Sequence, residues 1–180
     1  GEFANNASII LFIVGTVVLI FSFSLKMSNF LDVRSIFLEH FSVFNGNPLQ
    51  LVSIFIVPVL FSIGILNIRC VDSEILNNLN IILSILIAMF FSTLSILCAF
   101  ADKDNKNSKY KQLLKETFNA TIFEALVCLL LLFISFVTLF IGEFKQSLQI
   151  ISGSIYYLAI VAVLNILVII KRLKVLFENK

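Results

Sequence analysis

Five long apolar runs set what this chain can become. They cover about residues 8–25, 49–66, 80–100, 121–141 and 150–170, and none contains a Lys or Arg. About 20 mostly apolar residues suffice for a helix to cross a bilayer. A β-barrel would instead show alternating segments of about ten residues, and these runs are continuous and longer. Composition points the same way: 59% of the 180 residues are hydrophobic and 13% are charged, where a soluble domain has about a quarter charged. A water-soluble α/β enzyme, a disordered tail and a disulfide scaffold are excluded. The expected fold is an all-α integral membrane protein with five transmembrane helices in a single domain spanning 1–180.

The basic residues give that bundle a direction. With five spans, the N-terminus and the loops at 67–79 and 142–149 share one side, which holds Arg69 and Lys145. The other side holds Lys26, Arg34, Lys103, Lys106, Lys109, Lys111, Lys115, Lys171, Arg172, Lys174 and Lys180. Cytoplasmic loops carry the excess of Lys and Arg, so the N-terminus is expected outside and the C-terminus in the cytoplasm. Gly1-Glu2-Phe3 lacks a Met and a basic region, and reads as an expression scar rather than a signal peptide.

Two connections have their own pattern. About residues 28–45 read as an amphipathic helix on the inner surface, with Phe30, Val33, Phe37, Phe41 and Phe44 on one face. It is either an interfacial brace or a sensing and docking element. Asn45-Gly46-Asn47-Pro48 ends it. Residues 101–118 form a cytoplasmic loop that turns helical at Ser108 and extends the fourth span. Lys109, Lys111 and Lys115, with Lys171 and Arg172, are placed to meet anionic lipid headgroups.

Within the spans, Glu124 is the one ionisable acid or base, and an intramembrane charge is a functional candidate by default. It lies five residues past Asn119, roughly 7–8 Å along a helix. Asn165 sits at matching depth on the fifth span, and Ser22, Ser53 and Ser95 on the other three. Together they would make a polar belt in the inner leaflet. Three roles stand for it: helix packing through a Glu124–Asn165 contact, a cation-selective path, or a proton relay. Pro58 should kink the second span, and Ser152-Gly153-Ser154 offers a small-residue patch for close helix approach. At least one ring of Tyr156-Tyr157 should pack inside.

No catalytic constellation is apparent. Paired intramembrane acids, a Ser/His dyad and HExxH are all missing, and His40 is the only histidine. Cys70, Cys98 and Cys128 form no CxxC, so no metal, no cofactor and no disulfide is expected. A net charge of +2 does not suggest nucleic acid. The chain reads as a non-enzyme whose partner is the lipid bilayer, with homo-oligomerisation and a protein partner at the cytoplasmic face as further expectations.

Lys115-Glu116-Thr117-Phe118-Asn119 leads into the fourth span, and the Tyr156-Tyr157 span ends in Leu-Val-Ile-Ile-Lys171-Arg172-Leu. Over about residues 108–177 this pattern resembles small uncharacterised bacterial membrane proteins, some of them membrane effectors in anti-phage defence loci. The resemblance implies a multi-pass protein of the bacterial inner membrane that oligomerises and permeabilises the membrane or conducts ions as a defence or toxin effector. Abundant Ile, Asn, Lys and Phe, encoded by AT-rich codons, fit a bacterium. Glu124, Asn165 and Ser95 would border the conducting path. The alternative is a non-conducting partner subunit: an immunity protein against a membrane toxin, or a chain similar to the substrate-binding subunits of energy-coupling vitamin transporters. The latter present AxxxA in the first helix, whereas this first span has only Gly15-Thr16.

Overall fold

The structure is a computed structural model that describes residues 14, 15, 18, 36, 38, 48–101, 108–141 and 145–178. The chain divides into two units, Gly1–Glu39 and His40–Lys180. In the first, the described residues are helical. The expected first span, the amphipathic helix and Ser22 otherwise lie outside the described residues. The second unit contains α1 (Pro48–Phe55), α2 (Val57–Ile68), α3 (Ser73–Ala101), α4 (Ser108–Ile141) and α5 (Lys145–Glu178). No strand occurs among the described residues.

Three helices, α3, α4 and α5, are long and apolar enough to cross a membrane. Each is longer than the run that predicted it. At 1.5 Å per residue the 34 residues of α4 reach about 50 Å, against about 30 Å of hydrocarbon. The span expected at 49–66 differs. It is built from α1 and α2, and its apolar helix Val52–Ile68 falls short of the other three. The break at Ile56 has a local cause. Pro58 has no N–H to give Ile54 O, and its ring disfavours helical backbone in the residue before it. Val59 N–H bonds Ile56 O at 3.0 Å instead. The expected kink therefore appears two residues ahead of the proline, whose ring is buried.

The loop expected at 67–79 shrinks to four residues because Asp72 starts α3 early. Its Oδ1 accepts the Ile75 N–H at 2.9 Å, and its carbonyl takes the Leu76 N–H at 2.9 Å. Side-chain capping of this kind satisfies donors that a helix start leaves open. Asn77, Asn78 and Asn80 consequently fall inside the helix.

Buried positions repeat every seven residues: Leu76, Leu83, Phe90 and Leu97 on α3, and Ile155, Ala162, Ile169 and Leu176 on α5. On α4 the steps alternate four and three through Tyr110, Leu114, Thr117, Thr121, Glu124, Cys128, Leu131, Ser135 and Thr138, all buried. This is the seam of a coiled-coil-like bundle. α4 packs between α3 and α5, and α5 packs in turn on α2. Outward positions stay apolar, as Ile82, Ile85, Met89 and Phe133 illustrate, a surface compatible with contact to lipid chains.

Candidate functional site

The α4 seam carries polar groups where a soluble bundle would carry aliphatic ones. Thr117, Thr121, Glu124 and Ser135 are fully buried, and α5 adds Ser152 and Asn165. The threonines are satisfied by their own helix: Thr117 Oγ1 donates to Leu113 O at 2.7 Å, Thr121 Oγ1 to Thr117 O at 2.8 Å and Thr138 Oγ1 to Ile134 O at 2.6 Å. Glu124 is different. Its Oε1 receives only the Cys128 thiol, at 3.8 Å. The Asn165 amide is close enough to interact with this carboxyl, yet Glu124 Oε2 and both polar atoms of Asn165 lack a conventional hydrogen bond. Ser135 Oγ and Asn80 Oδ1 are likewise unpartnered. Buried polar atoms are normally paired, so these mark where the interior departs from simple packing.

Among the described residues no cation answers the carboxylate. Between Lys115 and Lys145, and along the membrane lengths of α3 and α5, the sequence has no Lys, Arg or His. The ion pair that joins α4 to α5 runs from Arg172 Nη1 to Glu116 Oε2 at 2.9 Å. Glu116 is eight residues from Glu124, about 12 Å along the axis.

Of the belt expected from depth alone, Glu124, Asn165, Ser53 and Ser95 fall among the described residues. Glu124 and Asn165 come together on adjacent helices. Ser53 and Ser95 are exposed, and their hydroxyls bond their own helices at Leu49 O (2.9 Å) and Phe91 O (3.0 Å). Depth along a helix fixes only one of two coordinates; direction around it follows the 3.6-residue turn. Ser95 lies off the buried stripe of α3, which passes from Phe90 to Leu97. What depth missed, period supplies: Thr117, Thr121, Cys128, Ser135 and Thr138 follow the four-and-three rhythm of α4.

The small-residue patch does bring elements close. Ser152 Oγ accepts the Val71 N–H at 3.1 Å, and Tyr156 donates its hydroxyl to Arg69 O at 3.0 Å. A Cβ on Gly153 would sit 3.5 Å from Leu66 Cδ2. These contacts seat the α2–α3 turn on the start of α5, while Ser154 stays exposed and bonds Ile150 O. At the opposite end, Lys109, Lys111, Lys115 and Lys171 are exposed, as a headgroup-binding role needs. Arg172 is largely taken up by Glu116, which also accepts from Gln112 Nε2 at 2.9 Å. Cys70, Cys98 and Cys128 are free thiols. No known protein family, no curated protein and no solved structure matches this chain.

Proposed function

We propose that this chain conducts ions across a bacterial cytoplasmic membrane, dissipating its potential as a toxin or defence effector does. One observation carries the reading: a fully buried carboxyl in a membrane-length helix, with no cationic partner among the described residues and an unpartnered amide beside it. Such a group is costly to keep in hydrocarbon and marks ion paths, relays and ligand sites in membrane proteins. A helix-packing role is the weaker account, because a packing contact would be expected to close its hydrogen bonds.

The topology belongs to the same proposal: five spans, with the lysine-rich end of α4 and α5 in the cytoplasm beside anionic headgroups. So does homo-oligomerisation. Because α4 and α5 of one chain enclose Glu124, the path would run through each protomer, and copies would add paths in parallel.

Reconstitution of the purified protein in liposomes tests this. A dye reporting potential should register ionic leak with the wild-type chain and far less with Glu124→Gln. Intact potential together with a co-purifying membrane protein would favour the partner-subunit alternative and end the conducting one.

A further inference from the structure

The groups around Glu124 suit one ion better than the others. A calcium or magnesium ion in a protein interior gathers about six or more oxygen ligands. Here the side chains are one carboxyl, one amide and one thiol, from Glu124, Asn165 and Cys128. Among the described residues no group of three or more His, Cys, Asp or Glu could hold a metal. Backbone carbonyls inside a membrane helix are occupied by the helix itself. A proton asks for a single lone pair.

Asn165 is the partner such an ion needs. Its amide offers two donors on Nδ2 and an acceptor on Oδ1, and both atoms are unpartnered and buried. Nδ2 can donate to the charged carboxylate, and Oδ1 can accept from the protonated acid. Either state of Glu124 therefore finds a complement on the same side chain. A lysine would suit only the charged form.

Hydroxyls continue the line on both sides. Thr117 and Thr121 lie towards the lysine-rich end, and Ser135, Thr138 and Ser152 towards the other. From Thr117 to Thr138 is about 32 Å at 1.5 Å per residue, close to the full hydrocarbon thickness of about 30 Å. A hydroxyl accepts as well as donates, so threonines bonded to their own helix keep an acceptor lone pair. Cys128 and Leu131, both fully buried, are the seam residues between Glu124 and Ser135.

We propose that the ion passed at this site is the proton, with Glu124 as its carrier, Asn165 as the complement of both carrier states, and the hydroxyl seam of α4 as its route. The inference rests on the conducting reading above. In each passage Glu124 gains a proton from one face and loses it to the other. Only an O–H bond forms and breaks, and one positive charge crosses. Titratable groups along this length are few: α4 carries the buried Cys128, α5 carries Tyr156 and Tyr157, both half-buried, and α3 carries only Cys98 between Glu74 and Ala101, its thiol exposed.

The test uses the full chain in vesicles loaded with a pH-sensitive dye, under a potassium gradient set with valinomycin. Sodium and potassium movement are followed in parallel with ion electrodes, valinomycin being left out of those runs. Wild-type vesicles should acidify. Glu124→Gln should fall to the rate of protein-free vesicles, Glu124→Asp should keep part of the flux, and Ser135→Ala should lose most of it. Size-exclusion profiles of each variant check assembly, and Ser135→Ala serves should Glu124→Gln fail to fold. Sodium or potassium passage with a flat pH trace overturns the proton assignment and leaves conduction standing. No movement of any ion overturns both. Undiminished proton flux in Glu124→Gln, or in Ser135→Ala, overturns the carrier or the route respectively, and with it the proposal.

Discussion

Arg172 on α5 reaches Glu116 on α4 at 2.9 Å, and both side chains are partly shielded from solvent. The pair ties the lysine-rich ends of the two helices together just beyond the apolar length. Exposed ion pairs contribute about 0–1 kcal/mol, and partial burial moves a pair towards the top of that range. In detergent, Glu116→Ala and Arg172→Ala should each lower the unfolding midpoint. The double variant should cost less than the sum, with a coupling of about 1 kcal/mol. Strict additivity would mean the contact contributes nothing.

Ser152 and Gly153 are neighbours with opposite expectations. Ser152→Ala strips the Val71 N–H of its acceptor, and an unpaired buried donor costs about 1–3 kcal/mol. Gly153→Ala should be harmless or stabilising by up to about 1 kcal/mol, since alanine favours a helix interior and its Cβ would meet Leu66 Cδ2 at an ordinary 3.5 Å. Thermal or denaturant unfolding of the two variants checks both signs.

How far these contacts can be read from sequence varies. The helices α3, α4 and α5 are legible because each apolar run exceeds what a soluble element would carry. The helical reading from Ser108 onward agrees with α4, whose described residues begin there. The start of α3 does not, because Asp72 announces a cap only once the Ile75 N–H is seen beneath it. Glu124 with Asn165 emerges from counting residues inward from a shared end. For Ser53 and Ser95 the same count says nothing of direction, and both are exposed. The pairing of Ser152 with Val71 spans 81 positions, and nothing local in either segment encodes it.

Asp72 gives the α2–α3 turn a dependence on pH. The Ile75 N–H is the largest influence holding its carboxyl below the ordinary 3.8; desolvation opposes it, and the Arg69 guanidinium and the Glu74 N–H add to the lowering. A carboxyl depressed in the folded state stabilises fully above its unfolded value and loses that contribution as pH falls through its folded value. The stability gap between wild type and Asp72→Ala should therefore hold at about pH 6 and narrow below about pH 4. A gap that stays constant through the acid range would exclude the charged cap.

Helix order fixes which ends share a side. The start of α3, the end of α4 and the start of α5 lie together, and Cys70 belongs to that end. In intact cells an impermeant maleimide should label Cys70, given the orientation proposed above, and should not label Lys109→Cys. Labelling of both, or of position 109 alone, would reverse or remove the topology.

The seating of the α2–α3 turn on α5 also sets an order of assembly. Among the described elements α2 packs against α1 and α5 and not against α3, so its main neighbour is the last of the described helices to be made. While the ribosome is still producing α3 and α4, none of the described helices after α2 is there to cover it, and the turn at 69–72 lacks the Ser152 and Tyr156 groups that hold it. The α3–α4 pair can pack first, and α5 then closes the bundle onto α2. A chain stopped before residue 152 would leave its earliest described helices unclaimed.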